Sequence, residues 1–434
     1  MKLLENISMK IQSKFVIENY YDDLQGRVDS YRDIYRDDFK RSAIKLIIWN
    51  LKVLCKKDIR MVSGRLQDDS KNKLNLRIDK RNLNVAFVIG GGFGDNLIFC
   101  NYLYKFKKKF GTSKMRIDVF FSRGWGQADA LLKNSDICTN YYKEPEENWK
   151  HNYDLIIGVG RYPLVYKAVE KKIKKKNVQL WNYVKSCKKF EKENRVVFAN
   201  APYFDGMTAF YSGNMGIKRI QQADFDGKLE IQPEFEYNPQ IVGEESYLSS
   251  VKLLGKKYIT FHRGSDSNYS KNVVKLWPLE YYNTLIELIK KRYPTVILVQ
   301  MGISEDRCEL MNGIDVNLVG KTTMEEVKIL LKNSALHIDC EGGYVHLRES
   351  INGGCSVVLF GPTSMNFYGY KNNINIKGNG CPYPCEWQKQ DWLDHCVRGE
   401  LKPSCMYSIL PVQVFDKIVN NISVAELENN REEF

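Results

Sequence analysis

Short apolar segments alternate with stretches of helical periodicity along most of the chain. In the first half, apolar runs at residues 84–89, 116–121, 154–159 and 195–199 predict buried strands, and residues 96–110 have the spacing of a helix. Short apolar strands that alternate with helices indicate a parallel sheet covered on both faces. The pattern therefore predicts an α/β unit of the doubly wound type in this part of the chain.

The same alternation begins again at residue 257. Apolar runs predict further strands at residues 257–261, 295–300, 335–339 and 356–360, and helical spacing predicts helices at residues 279–292, from 323 and from about 346. Between the two halves, residues 203–245 are irregular and contain several glycines and prolines, so we interpret them as a linker. Pairs of α/β units commonly bind a ligand in the cleft between them, at the carboxyl ends of the strands.

Residues 1–82 differ from the rest of the chain. Apolar residues recur at intervals of three or four from Tyr20 onward, which predicts a helical N-terminal extension. Its 19 basic and 12 acidic residues give it +7 of the chain's net charge of +13. This charge fits a solvated helix face, or contact with an acidic membrane surface or partner. We therefore predict three parts: the extension 1–82, a first α/β domain 83–245, and a second α/β domain 246–434.

Composition and targeting signals narrow the class of protein. The 434 residues are 43% hydrophobic and 27% charged, which is typical of globular proteins and excludes disordered and fibrous ones. The net charge of +13 favours a polyanionic partner such as a nucleotide, phosphate, nucleic acid or anionic membrane face. Residues 1–10 lack a signal-peptide core, and the most apolar stretch, 44–54, is too short to cross a bilayer. We expect a cytoplasmic protein, either free or peripheral at the inner membrane face.

The glycine-rich turn at residues 90–95 is the first candidate for chemistry. It lies between a predicted strand and a predicted helix, where Gly92 and Gly94 let the backbone approach a ligand and the helix start favours an anion. Asp95 stands where the dinucleotide-binding fingerprint requires a glycine, which argues against an NAD site. A carboxylate at this position suits a general base acting on an acceptor hydroxyl, or alternatively a helix cap.

Further candidate ligand residues follow the strands of the second half. Residues 262–265 read His-Arg-Gly-Ser, residues 339–346 form a second glycine-rich turn, and residues 360–363 read Phe-Gly-Pro-Thr. Hydroxyls, backbone amides and a lysine at strand ends suit a diphosphate whose charge grows as it leaves. Taken alone, Lys275 also fits an ordinary surface lysine and His346 a structural histidine. The candidates in this half are Ser265, Lys275, Glu341, Gly342, Gly343, His346 and Thr363.

Four cysteines near the C-terminus form a separate candidate site. Cys381, Cys385, Cys396 and Cys405 lie within 25 residues of one another, and His395 is an alternative ligand. Four thiols suit tetrahedral coordination of zinc or iron, whereas unpaired core or loop cysteines are the other interpretation. Four protein ligands leave no open position for a substrate, so the metal would have a structural role.

The order of these motifs resembles the bacterial heptosyltransferases of glycosyltransferase family 9. In chain order the motifs are Gly-Gly-x-Gly-Asp, His-x-Gly, Lys-x-Trp-Pro, Gly-Lys-Thr, x-x-Gly-x-x-His-Leu, Leu-Phe-Gly-Pro-Thr and the late cysteines. The resemblance covers about residues 83–419. It implies a GT-B fold of two Rossmann-like domains, the first for the acceptor and the second for the donor. It also implies metal-independent, inverting transfer from an ADP-activated heptose to lipopolysaccharide core or, in a related group, to autotransporter proteins.

The resemblance also assigns roles to individual residues. Asp95 matches the proposed base of the family, Lys275 the lysine that meets the donor diphosphate, and Glu305 an acid that holds the ribose. Residues 341–346 occupy a motif that in many members reads Asp-Ser-Gly-Pro-Met-His. A related group of protein heptosyltransferases has a similar cysteine cluster and holds iron there.

We therefore expect an inverting glycosyltransferase that moves a sugar, by resemblance a heptose, from a nucleotide-sugar donor to a hydroxyl of a cell-surface glycan, lipopolysaccharide or protein. The alternatives are a nucleotide-sugar epimerase, an NAD-linked oxidoreductase, and a non-catalytic scaffold that binds glycan or nucleic acid. The scaffold would use the lysines at 105, 107–109, 171–172 and 174–176. The run from 171 lacks the interleaved aromatic residues that bind single strands. The sequence leaves the oligomeric state open.

Overall fold

The structure, a computed structural model, describes residue 79 and residues 81–144, 149–199, 203–263, 274–302, 308–381, 383–388 and 391–429. Nearly all of the predicted extension 1–82 lies outside the described residues, and so do Ser265 and Glu305. These three assignments therefore stay predictions.

Five strands form the first sheet in the order β3-β2-β1-β4-β5. The strands are β1 Leu83–Ile89, β2 Met115–Phe121, β3 Asn140–Lys143, β4 Leu155–Val159 and β5 Pro163–Ala168. The first four are parallel, and β5 is antiparallel to β4. Alternate residues of β1 enter two separate apolar clusters, Phe87 on one side and Val88, with Trp149, on the other. Both faces of this sheet are therefore covered, as the continuous apolar runs predicted.

Helices cover this sheet and lead toward the second one. Their bounds are α1 Phe93–Phe110, α2 Ala128–Leu132, α3 Glu170–Lys176, α4 Val178–Glu193, α5 Arg195–Ala199, α6 Tyr203–Asn214 and α7 Glu244–Ser250. The longest, α1, packs Phe99, Tyr102 and Phe106 around Phe87, with ring centroids 4.9 to 6.2 Å apart. This packing holds the N-terminus of α1 at the carboxyl edge of β1.

The second sheet has six parallel strands in the order β11-β10-β9-β6-β7-β8. They are β6 Tyr258–His262, β7 Ile297–Met301, β8 Val316–Asn317, β9 Leu336–Cys340, β10 Ser356–Phe360 and β11 Ile374–Lys377. Counted along the chain and read from the β8 edge, this is the order 3-2-1-4-5-6 of doubly wound folds, with its reversal between β6 and β9. The prediction of two doubly wound α/β halves is confirmed.

The helices of the second half are α8 Leu279–Arg292, α9 Met324–Asn333, α10 Gly343–Ser350, α11 Met365–Tyr368, α12 Ser404–Tyr407, α13 Pro411–Asn421 and α14 Val424–Leu427. One apolar cluster includes Phe87 of β1 and Leu330 of α9, so it crosses between the halves. The ammonium group of Lys328 on α9 donates to the carbonyls of Ala130 and Gln240 at 3.0 and 2.6 Å. Within the described ranges, no helix is long and apolar enough to span a membrane.

Residues 195–199 are a helix, so their prediction as a strand was wrong. The sheet edge beside β4 is occupied by β5, which leaves this apolar segment no strand to pair with. It forms α5 instead, where Phe198 packs against Tyr162 and Phe190 at centroid distances of 5.8 and 5.9 Å. Helix packing thus partly buries Phe198.

The interpretation of residues 203–245 as a linker was wrong at its beginning, because 203–214 form α6. Two glycines of α6 allow the second half to approach closely. A Cβ atom added at Gly213 would lie 2.8 Å from the amide nitrogen of Phe367, and one at Gly206 would collide with the carbonyl oxygen of Glu386. These glycines are therefore sites of backbone contact between helix and neighbour, and not signs of irregular chain.

Candidate functional site

Two glycine-rich turns, one from each half, meet at the carboxyl edges of the sheets. The turn after β1 ends at Gly92, where α1 begins, and the turn after β9 ends at Gly342, where α10 begins. A Cβ atom on Gly94 would lie 2.6 Å from Cδ2 of His346, and one on Gly343 would lie 3.3 Å from Cβ of Phe93. Two helix N-termini thus converge, and their partial positive charges favour an anion nearby.

Asp95 lies in the first turn of α1, and it is not the helix cap. The N-cap position belongs to Gly92, and no side chain caps this helix. One carboxylate oxygen of Asp95 accepts from Arg219 at 2.8 Å, while 55% of the side-chain surface remains exposed. Partial loss of water would raise the pKa of Asp95, but Arg219, together with Arg161 and His346, lowers it below its usual value. Asp95 is therefore an ionised carboxylate with one oxygen free of Arg219.

The second half contributes a buried group of charges beside this carboxylate. The ammonium group of Lys275 donates to Glu341 at 2.8 Å, and Nε2 of His346 lies 3.7 Å from the other oxygen of Glu341. The Nδ1 atom of His346 is hydrogen-bonded to the hydroxyl of Tyr370. Burial would raise the pKa of Glu341, but Lys275 and His346 hold it well below its usual range. Lys275 is thus a cleft residue with a buried partner, and not an ordinary surface lysine.

A polar network that the sequence did not predict joins the halves next to these groups. Arg161, after β4, donates to the hydroxyl of Tyr368 at 3.0 Å and pairs with Asp205 at 3.1 Å. The hydroxyl of Tyr368 donates to Glu386 at 3.0 Å. Glu386 is only 4% exposed, and its burial raises the pKa of its carboxyl to about 7 against the lowering effect of Arg161.

The other predicted ligand residues lie outside this charged group, either beside open space or buried at a strand end. Gly92 is exposed, and a Cβ atom added there would contact nothing within 4 Å. Gly342 is extended and leaves similar space, with its nearest neighbour at 3.7 Å. Thr363 follows β10 and is 2% exposed, and its hydroxyl has no hydrogen-bond partner in the part of the chain that the structure describes. The structure thus brings Gly94, Asp95, Lys275, Glu341 and His346 together and leaves the open glycines and Thr363 at the strand ends.

Two cavities lie beside this cluster. One, of about 290 Å³, is at the carboxyl edge of the first sheet and is lined by residues that include Gly90, Ser122, Arg161 and Asp205. The larger one, of about 490 Å³, lies between the halves and contains none of the predicted site residues, although Tyr370 forms part of its wall. The smaller cavity is the one that adjoins the turn before Asp95.

The four cysteines near the C-terminus lie in one neighbourhood. Burial raises the pKa of the Cys385 thiol, and the nearby thiols of Cys405, Cys381 and Cys396 raise it further. His395 is exposed and lies 3.0 Å from Asp391. Among the described residues, which omit 382, 389 and 390, no three His, Cys, Asp or Glu side chains are arranged to hold a metal ion. The four-cysteine metal site therefore stays a prediction.

Sequence reasoning missed Arg161, Arg219, Tyr368 and Glu386. Arg161 follows the apolar run 154–159 after one glycine, so its place at a strand end was a usable signal. Glu386 directly follows Cys385 of the predicted cysteine site, but no sequence pattern indicated a role for Glu386 itself. Arg219 lies in the segment interpreted as a linker, 124 residues from its partner Asp95, and nothing local identifies it.

A family model and two solved structures of glycosyltransferases are similar to this chain. Residues 173–395 match the family model described as glycosyltransferase family 9 (heptosyltransferase). A glycosyltransferase family 9 structure from Veillonella parvula is similar, with a TM-score of 0.51 and 14% identity, and the match covers 81% of this chain and 100% of that one. The iron-containing dodecameric glycosyltransferase TibC from enterotoxigenic E. coli has a TM-score of 0.50 at 15% identity, covering 80% of this chain and 77% of TibC. No curated protein sequence matches.

Proposed function

Because the chain belongs to glycosyltransferase family 9, the heptosyltransferase family, we propose that it transfers a heptose from ADP-heptose to a hydroxyl of its acceptor with inversion at the anomeric carbon. Family membership confirms the predicted resemblance and the glycosyltransferase activity, and the fold is the expected GT-B architecture of two Rossmann-like halves. The observation that carries the proposal is that the turn bearing Asp95 in the first half contacts His346 of the second half, which lies beside the Lys275–Glu341 pair.

The second half suits the donor. Lys275 and the N-termini of α1 and α10 supply positive charge for a diphosphate, and His346 connects Glu341 to the contact with Gly94. A TibC structure of the same fold, with a TM-score of 0.50 and 13% identity, is described as a complex with ADP-D-beta-D-heptose. Ser265 and Glu305 are the further proposed contacts, for the diphosphate and the ribose.

The first half suits the acceptor and the base. In the proposed reaction, the free oxygen of Asp95 takes the proton of the acceptor hydroxyl, whose oxygen attacks the anomeric carbon from the face opposite the diphosphate. The new carbon–oxygen bond forms as the bond to the diphosphate breaks. Lys275 and the helix N-termini stabilise the charge on the departing ADP. Arg219 keeps Asp95 ionised before the proton arrives.

The cavity of about 290 Å³ beside Gly90 and Ser122 is the proposed place of the acceptor hydroxyl. The acceptor is a cell-surface glycan, a lipopolysaccharide or a protein. Epimerase, oxidoreductase and scaffold functions are not favoured, because family 9 membership identifies a glycosyltransferase.

A structural zinc or iron ion at Cys381, Cys385, Cys396 and Cys405 is part of the proposal. The shared neighbourhood of the four thiols supports it, and TibC is described as iron-containing and dodecameric. Metal analysis of the purified protein should find about one ion for each chain, and a Cys385→Ser variant should lose it. Measurement of the native mass tests whether this chain also forms an oligomer.

We further propose that the enzyme works in the cytoplasm at the inner face of a membrane. The last turns of α1 and α3 carry Lys107 to Lys109 and Lys174 to Lys176. The side-chain amide of Asn177 donates to the carbonyl of Phe110 at 2.9 Å, which joins the two basic ends. Sedimentation with vesicles tests this: binding to anionic vesicles that weakens with salt supports it, whereas no binding contradicts it.

The donor is tested with a thermal-shift panel of ADP-, UDP-, GDP- and CMP-sugars, followed by an assay of nucleotide release. We expect the largest stabilisation from ADP-heptose, because a ligand that binds only the folded state raises the melting temperature. A larger shift with another nucleotide sugar would replace the donor assignment, and no response to any of them would contradict the proposed function.

A further inference from the structure

We propose that Glu386 is a sugar-binding residue: its carboxylate accepts hydrogen bonds from hydroxyl groups of the transferred sugar, and the cysteine-bearing turn holds it over the cleft. This inference rests on the proposed function, because it assigns a residue to the sugar of the donor. It adds to the nucleotide and diphosphate contacts a group that recognises the part of the donor that is transferred.

The position of Glu386 is the first argument. Its carboxylate accepts from the hydroxyl of Tyr368 at 3.0 Å, and the same hydroxyl accepts from Arg161 of the first half at 3.0 Å, so Glu386 lies where the two halves meet. Lys275 of the second half is near enough to lower the pKa of Glu386, and Glu341 is near enough to raise it. Arg161 in turn interacts with both Glu386 and Asp95. During transfer the sugar has to lie between the base and the leaving diphosphate, because the acceptor attacks from the face opposite the leaving group. We therefore infer that Glu386 borders the region that the sugar occupies during transfer.

The hydrogen-bonding capacity of Glu386 is the second argument. A carboxylate accepts about four hydrogen bonds, and in the described part of the chain only the hydroxyl of Tyr368 donates to this one, at 3.0 and 3.3 Å from its two oxygens. A sugar supplies several hydroxyl donors within a small volume. Donation from sugar hydroxyls would favour the ionised form of the Glu386 carboxyl, whose pKa is about 7 without them. Such charge-assisted hydrogen bonds are strongest where water is excluded, and Glu386 is only 4% exposed.

The backbone around Glu386 is held from several sides. The amide groups of Cys385 and Glu386 both donate to the carbonyl of Pro362, at 2.8 and 3.1 Å. On the opposite side, Gly206 of α6 leaves room for the carbonyl of Glu386. The next residue, Trp387, has a φ of 60°, an unusual value for a residue with a side chain. Such local strain commonly accompanies functional sites, where the surrounding structure maintains it.

The position of Glu386 next to Cys385 also suggests what the cysteine cluster does for sugar binding. Cys385 directly precedes Glu386, so any constraint on the thiol of Cys385 is passed to the carboxylate through one peptide unit. The cluster would then act by positioning a sugar-binding residue and would take no part in the chemistry. The rival interpretation is that Glu386 only joins the halves through Tyr368 and Arg161, and the binding measurements below distinguish the two.

Binding of two ligands that differ only in the sugar separates these roles. Affinities for ADP and for ADP-heptose are measured by calorimetry with the full chain, its Glu386→Gln variant and its Glu386→Asp variant. For Glu386→Gln we expect ADP affinity to change less than about twofold and ADP-heptose affinity to fall about tenfold or more, because a charged acceptor is lost. Glu386→Asp should recover part of the loss. Asp416→Asn, which removes an exposed carboxylate on α13, is the matched control and should match wild type for both ligands.

The contrary results are distinct. Equal losses for ADP and ADP-heptose would show that Glu386 only maintains the cleft, and unchanged affinity for both would show that it does not meet the sugar. Either result would overturn the inference and leave the proposed function standing. If wild-type protein binds another nucleotide sugar instead, the same comparison is made with that donor and its bare nucleotide. If it binds no nucleotide sugar at all, the proposed function and the inference are both wrong.

A second variant, Tyr368→Phe, serves if Glu386→Gln does not fold. It removes only the hydroxyl that donates to Glu386, so we expect a smaller loss of ADP-heptose affinity than in Glu386→Gln.

Discussion

The two halves place an acid beside a glycine-rich turn in different environments. Asp95 of the first half is 55% exposed and is bound by one cation, Arg219, whereas Glu341 of the second half is 8% exposed and lies between Lys275 and His346. Nearby cations lower the pKa of both carboxyls. The exposed acid keeps one oxygen clear of Arg219, and the buried acid holds Lys275 and His346 in place. The same strand–glycine–helix arrangement thus holds the proposed base in one half and a buried, ion-paired acid in the other.

Removal of the buried acid, Glu341, should have the largest effect on stability. Glu341→Ala leaves Lys275 without its partner, so we expect a loss of about 3 kcal/mol in the free energy of unfolding. Asp95→Asn should cost less, because Asp95 is half-exposed and the amide oxygen still accepts from Arg219. Urea unfolding of both variants measures the difference. Equal losses would contradict the distinction between a buried, ion-paired acid and an exposed base.

A substitution at the contact between the two glycine-rich turns should have an intermediate effect on stability. In Gly94→Ala the new methyl group would lie 2.6 Å from the ring of His346, so the ring has to move from Glu341 and Tyr370. We expect about 1 to 3 kcal/mol of destabilisation, typical of overpacking, and weaker ADP binding. Gly126→Ala, at an exposed glycine that is not a predicted ligand residue, is the matched control, because its added methyl would meet no atom within 4 Å. Similar behaviour of the two variants in thermal unfolding and ADP titration would argue against a close contact between the halves.

The smallest expected effect is a shift in the pH dependence of activity, which the proposed base Asp95 would control. A base works only when ionised, so activity is lost as the pH falls through the pKa of Asp95, which Arg219 lowers below the usual 3.8. In Arg219→Gln this pKa rises, and the acid side of the pH profile of kcat/KM should move to higher pH. Arg398→Gln, at an exposed arginine, should leave the profile unchanged. A shift toward lower pH in Arg219→Gln would contradict the assigned pairing.

Local patterns predicted the parts of the fold that local burial determines. The apolar runs of β1, β6, β9 and β10 are buried along their whole length, and the pattern located all four. Short or partly exposed strands such as β3 and β8 have no such run and were missed. The segment at 195–199 was misassigned because its structure depends on β5 occupying the sheet edge, which is information about distant neighbours.

The candidate site also contains residues that local sequence patterns predict and residues that they do not. Asp95, Glu341 and His346 were predictable because they stand at glycine-rich strand ends, where parallel sheets place ligands. Arg161 bonds to Tyr368 across 207 positions of the chain, and α6 contacts Glu386 through a glycine that looked like linker sequence. Such residues are defined by how the halves pack together, and no local pattern specifies that packing.

The central claim is that the first half supplies the base while the second half holds the donor. The most direct measurement is ADP release by Asp95→Asn at saturating ADP-heptose in the presence of acceptor, with donor affinity measured on the same protein. We predict donor affinity close to wild type and a turnover reduced by about 10² to 10⁴. Turnover at the wild-type rate in Asp95→Asn would contradict the claim.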